Sequence, residues 1–477
     1  MPGQFTPILT LDGVSLRCKI ILGGGNFRAM RVSEESAARR PAYATGSKWC
    51  GINHFLLADA ALTLQNRSQA VQSERSEPKK EIPVNHLRKS LQALFVMSTC
   101  LFVGQAAAAD LIVSAQDGKF VRVQGAATFP SPAPPDSLVV IDASQFPPVV
   151  KATVEGIDHT IQGPPQAVAI TPDGKLAVVA APSHYDYGAK IETLEKFLQV
   201  VDLESSPPRL IDKVELGVHA NGLAINPEGT LLLAAALDGT VKVLSIKGKN
   251  VSLLDSIKIG EKRLSGVSFT HDGKAAIVAQ RDEQGAATLS VEGVSVKDTG
   301  ERISTGVSPY SVDVDSNGRW AVISNAGLAG KPGNFGRIAG DADTITLVDV
   351  SKRPFRAIQY LTVPAIPEGV AISPDGKWIV VQAMDGSQLT PDNPGRHPRG
   401  KVLLFAVDGN GAHKVNEVPG GEAAQGIVFA KDNRTMLVQF DVEKELAIYA
   451  IRHGKLVDTG KRLKLSAGPV SIRSMPR

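Results

Sequence analysis

The chain has 477 residues, room for two or three domains or for one large all-β domain, with 45 Gly, 30 Pro and few aromatic residues. Its charge splits at Asp110: residues 1–109 carry 13 Lys/Arg against 7 Asp/Glu, and residues 110–477 carry 39 against 41. The near-neutral body argues against a general nucleic-acid binder. Because Cys18, Cys50 and Cys100 all precede Asp110, that body also has no disulfide, metal-thiolate site or cysteine nucleophile.

Residues 1–83 show no clean periodicity and include a polar, charged run at 65–80 of the kind that stays disordered. Two accounts compete for them: a start placed upstream of the true one, or an N-terminal extension. Residues 84–109 are expected to be a bacterial signal peptide. Arg88 and Lys89 form its basic end, 91–103 its apolar stretch, and Ala107, Ala108 and Ala109 the small-residue cleavage motif. The apolar stretch is too short for a retained transmembrane anchor, and Thr99 is a poor residue before a lipidated Cys100. Cleavage near Ala109 would deliver residues 110–477 to the periplasm or the medium.

From Asp110 onward one pattern repeats. A polar or small residue is followed by Gly or Ala, alternating apolar positions, a tight turn and a second apolar strand. Its copies begin at Gln166, Asn221, Ser265, Tyr310, Glu368 and Gln425, and their turns end on Gly174, Gly229, Gly273, Gly318, Gly376 and Asn433. Gly and Asn are the residues that tolerate φ > 0, so the turns are hairpins with a mechanism. Third strands are expected at 198–202, 241–245, 345–349 and 402–406, and weaker fourth strands at 211–215 and 357–363. The turn positions recur every 44 to 58 residues, the length of a four-stranded propeller blade.

The chain ends on a lone inner strand at 468–473, and three strands without an inner partner stand at 111–115, 137–141 and 149–154. A last blade built from both termini closes a ring of seven and removes the open sheet edges. The expected fold is therefore an all-β, seven-bladed β-propeller over 110–477.

The Val168-Ala-Ile-x-Pro-Asp-Gly-Lys175 hairpin and its relatives, the third strands Val200-Val201-Asp202-Leu203 and Leu347-Val348-Asp349-Val350, and the Gly340-Asp-Ala-Asp-Thr344 run resemble the YVTN-type, lactonase-like seven-bladed propellers that bacteria export. The resemblance covers essentially all of 110–477. It implies the fold; for activity it implies acid/base residues at the channel mouth of the lactonase-like members. A fold does not by itself confer a function.

Long insertions at 182–196, 327–341 and 385–400 all fall between second and third strands, on the end of the ring that carries the repeat's first residues. That end is the expected site. Gln166, Asn221, Ser265, Tyr310, Glu368, Gln425 and Gly468 ring the channel there, six of them with hydrogen-bonding side chains; they form a recognition site or simply line a wet pore. Glu368 and His219 are the candidate acid/base pair, with Arg263 or Arg281 to stabilise an oxyanion. His184, Tyr185 and Tyr187 are candidates to stack on a ligand or to pack their insertion onto the ring. Arg396, His397 and Arg399 form a basic tip that would hold an anion or stay solvated.

No metal site or cofactor is expected: Asp341, Asp343 and Asp349 lack calcium-loop spacing, and phosphate-loop, nucleophile-elbow and haem-attachment motifs are absent. The expectation is a monomeric periplasmic binding or scaffold module for a protein or small polar ligand. The alternatives are a hydrolase opening a sugar-type lactone and a partner subunit of a periplasmic dehydrogenase.

Overall fold

In the repeated hairpins the turn glycine closes a short loop onto the residue three before it. Gly174 N–H donates to the Thr171 carbonyl at 2.9 Å, and Gly174 sits at φ 71°. Gly229, Gly273, Gly318, Gly376 and Asn433 take the same left-handed conformation. Each turn joins an innermost strand to its antiparallel neighbour, and two further strands complete each sheet.

The computed structural model describes Ile8–Leu11, Val14–Arg17 and residues 110–476 apart from 332, 335, 336 and 339–341. The first two segments pair as an antiparallel hairpin, a unit considered by itself. The expected signal peptide at 84–109, like the rest of 1–83, lies outside the described residues.

Residues from 110 onward form seven four-stranded antiparallel sheets. Blade 1 runs Val168–Ile170, Leu176–Val179, Phe197–Asp202 and Arg209–Glu215 from the inside outward. Blade 2 begins with Ala220–Ile225, blade 3 with Val267–Phe269, blade 4 with Pro309–Val314, blade 5 with Pro367–Ile372 and blade 6 with Ile427–Phe429. Blade 7 joins the two ends of the propeller: Gly468–Ser474 pairs with Leu111–Asp117, followed by Ser137–Asp142 and Val149–Glu155. Adjacent inner strands touch all the way round, including blade 7 with blade 1, so the ring is closed.

Burial falls from the axis outward. Ala220–Ile225 is buried throughout, whereas Arg209–Glu215 is largely exposed. The core is the set of layers between blades, such as Leu176, Val178 and Leu198 against Leu223, Leu232 and Leu244. The small second residue of the repeat has a steric cause. A Cβ on Gly222, Gly266 or Gly369 would strike the backbone of the next blade, at the Ser265, Tyr310 or Gln425 carbonyl.

Candidate functional site

Each inner strand runs from the mouth residue to the hairpin turn and the second strand returns, so second-to-third connections gather at the mouth. A fourth insertion joins the expected three there: residues 118–136 of blade 7, carrying the hairpin Val121–Val123 with Ala126–Thr128. The insertion of blade 1 is likewise a hairpin, Ser183–Asp186 with Ile191–Leu194. The insertions touch one another. Phe129 lies flat on Tyr185, Asn393 Nδ2 donates to the Arg337 carbonyl, and a Cβ on Gly125 would collide with the Leu389–Thr390 peptide. They make a roof over part of the mouth.

Several ring residues are spent on holding the ring rather than facing a ligand, which corrects the expectation for them. Gln166 reaches across the channel and pairs its amide with both backbone groups of Val312 in blade 4. Ser265 Oγ lies 3.0 Å from the Pro309 and Tyr310 carbonyls, and Gln425 Nε2 donates to the Ala423 carbonyl at 3.1 Å. Arg473 donates to the Val267 and Leu223 carbonyls. Side chains therefore bridge the channel between blades. Asn221, 8% exposed, makes no side-chain hydrogen bond to the described residues.

Glu368, Tyr310, Arg281 and Arg263 come together. Glu368 is 3% exposed and its Oε2 has no hydrogen-bond partner among the described residues. Burial pushes its carboxyl up to about 7, against the pull of Arg281 and Arg263. The Arg281 guanidinium stacks 3.5 Å over the Tyr310 ring and donates from Nη2 to the Gly330 carbonyl at 2.9 Å. Burial raises the Tyr310 hydroxyl to about 12, so it stays protonated. Arg263 is forked onto Asp282 at 3.1 and 3.0 Å, which neutralises it. Arg281 has no such ion pair among the described residues, and its Nε is buried without a partner. A carboxyl that titrates near neutrality beside a guanidinium and a phenol can move a proton and face a developing negative charge.

His219 is not part of this group. Its Nδ1–H donates to the Glu195 carbonyl at 2.8 Å, burial lowers its pKa, and the charges acting on it are Glu192 and Glu195 rather than Glu368. It ties the blade 1 insertion to the ring.

The aromatic loop packs on protein. The Tyr185 ring is covered by Phe129 at 4.0 Å and edged by Tyr187 at 5.0 Å, with His184 exposed beside them. The basic tip is paired: Arg396 with Glu422 at 3.1 Å, His397 with Asp385 at 3.1 Å, and Arg399 with Glu443 at 3.8 Å. An anion would have to displace these carboxylates.

Asp343 and Asp349 serve backbone groups, at Ile366 N–H and Ser351 N–H, and Asp341 lies outside the described residues. Among the described residues no group of three or more His, Cys, Asp or Glu is placed to hold a metal.

Sequence reasoning missed Asp117 and Asp441, two buried carboxylates at the blade 6–7 side of the mouth, and Phe129 and Arg122 in the fourth insertion. The one available signal was Gly468, the ring position without a side chain.

Comparison with known proteins agrees with the fold. The pattern described as WD domain, G-beta repeat matches residues 214–245, from the end of blade 1 into blade 2. No curated protein matches the sequence. A putative 6-phosphogluconolactonase from Bacteroides fragilis superposes with a TM-score of 0.58 at 14% identity, over 78% of this chain and 99% of its own. One from Bacteroides uniformis gives 0.56 at 15%, over 77% and 100%. The periplasmic gluconolactonase of Pseudomonas aeruginosa gives 0.51 at 14%, over 77% of this chain and 99% of its own. The chain shares the seven-bladed architecture of these lactonase-like propellers.

Proposed function

We propose that this propeller is an exported hydrolase that opens a small cyclic ester of the sugar-lactone type at its channel mouth. The observation that carries the proposal is Glu368, a buried carboxyl with an unpartnered oxygen and a pKa lifted to about 7, beside Arg281 and Tyr310. As the carboxylate, Glu368 takes a proton from water as the water attacks the ester carbonyl; such general-base help is worth about 10²–10⁴-fold. Arg281 then faces the oxyanion. The similarity in fold to gluconolactonases favours a lactone over other esters. Export rests on the pattern of residues 84–109 and on a cysteine-free propeller.

The test is hydrolysis of a sugar-lactone panel by the full chain. Wild-type turnover above background, falling at least about a hundredfold in Glu368→Gln, supports the proposal; a wild-type rate equal to the uncatalysed one rejects it. The binding-module reading uses the same mouth and is favoured by the roof. It would give calorimetric binding of a lactone with no turnover. N-terminal sequencing of protein from the cell envelope tests export, with Asp110 the expected first residue.

A further inference from the structure

The repeat places one residue from each blade at the mouth, and in blade 7 that residue is Gly468. Its glycine is required for space. A Cβ there would land on Oδ1 of Asp441, the residue that follows strand Thr435–Phe440 of blade 6. The Asp441 carboxyl thus stands where the seventh ring side chain would be. It is 2% exposed, and its Oδ2 has no hydrogen-bond partner among the described residues.

The groups that face it are Asp117 from the second strand of blade 7, Arg122 from the blade 7 hairpin, and Glu443 and Lys444 from its own turn. Arg122 is held by Gln162 Oε1 at 3.0 and 2.7 Å and by the Gly125 carbonyl at 3.0 Å. Asp117 Oδ1 accepts from Lys119 N–H at 2.9 Å and pairs with the Lys119 ammonium at 3.0 Å, while its buried Oδ2 has no partner among the described residues. Burial, and then the nearby Asp117, hold the Asp441 carboxyl well above the ordinary carboxylate range, which favours its protonated form. The roof supplies a further orphan: Gln388, beside the Leu389 that meets Gly125, is fully buried, and neither amide atom bonds a described residue. Buried polar groups left without partners among the described residues are groups that a polar ligand can satisfy.

We propose that Asp441, backed by Asp117, is the proton donor to the leaving oxygen in the ring opening, opposite in role to Glu368. The proposal rests on the hydrolase reading above. Glu368 accepts one proton from water as the water oxygen bonds to the carbonyl carbon. The carbon–oxygen ring bond then breaks, and the ring oxygen takes the proton of Asp441. Glu368 is left protonated and Asp441 ionised; solvent removes one proton and returns the other, leaving a hydroxy acid. The mechanism divides the two roles between two carboxyls, one that starts ionised and one that starts protonated.

The experiment pairs a pH–rate profile on glucono-δ-lactone with ¹³C carboxyl NMR of Asp-labelled full-length protein, using wild type, Asp441→Asn and Gly468→Ala. The expected result is a kcat at least about thirtyfold lower in Asp441→Asn with Tm not lowered, and loss of the profile's alkaline limb. Gly468→Ala, which displaces the carboxyl, should follow it. An Asp441→Asn enzyme within twofold of wild type and with the same alkaline limb overturns the role. If wild type shows no turnover at all, the hydrolase reading fails separately, and the donor role falls with it. The NMR arm then still decides the placement. A resonance absent from Asp441→Asn that shifts on adding gluconate supports Asp441 at the mouth, and one that does not move overturns it.

Discussion

Gln166 and Val312 are joined across the channel from blade 1 to blade 4, the amide donating to the Val312 carbonyl at 2.9 Å and accepting from its N–H at 3.0 Å. The pair replaces hydration of inner-strand backbone groups with one buried side chain. Gln166→Ala leaves both without that partner and should cost about 1–3 kcal/mol, seen as a lower urea midpoint at unchanged m.

Glu368 makes stability fall as pH rises. Its folded pKa of about 7 stands above the ordinary 4.5, so the folded state keeps a proton that the unfolded chain has lost. Its contribution is therefore complete below about pH 4.5 and is lost as pH rises through 7, at up to about 1.4 kcal/mol per pH unit. Glu368→Gln should remove that slope, and its Tm relative to wild type should climb between pH 5 and about 7.5. Parallel curves for the two proteins would contradict the burial argument.

His159 acts in the opposite sense. It is fully buried, with Nδ1 at 3.1 Å from the Ala180 carbonyl and Nε2 at 2.6 Å from Ser471 Oγ, linking the blade 7–1 connection to the last strand of the ring. Burial, and then Lys119, lower its pKa from 6.5 to about 3. The unfolded chain takes up a proton below pH 6.5 that the folded one refuses, so stability is present above 6.5 and drains away toward pH 3. A His159→Gln variant should show an acid limb shallower by about 1.4 kcal/mol per pH unit, measured by denaturant unfolding from pH 6.5 to 4.

Phe129 fastens the blade 7 insertion to that of blade 1. Phe129→Ala removes the stacked ring from Tyr185 and should cost about 1 kcal/mol. The effect should be local: faster amide exchange in the hairpin of Ser183–Asp186 and Ile191–Leu194, with the inner strands unchanged.

The repeat, the blade count and the closure by both termini were legible in the sequence because they depend on local chemistry. Alternating apolar residues demand paired strands, and Gly174 or Asn433 demands a turn at positive φ. Glu368 could be singled out because its place in the repeat put a carboxyl where the other copies carry neutral side chains. Long-range proximity was not legible. That Gln166 would cross to Val312, that Phe129 would cover Tyr185, and that Asp441 would fill the place left by Gly468 all follow from the closing of a ring. Residues far apart in the chain meet there, and sterics and desolvation settle the outcome; one strand's pattern carries no information about what stands opposite it. The sequence by itself determined the strands, the turns and the ring; only the tertiary structure decided which polar groups are spent on holding it and which remain unpartnered at its mouth.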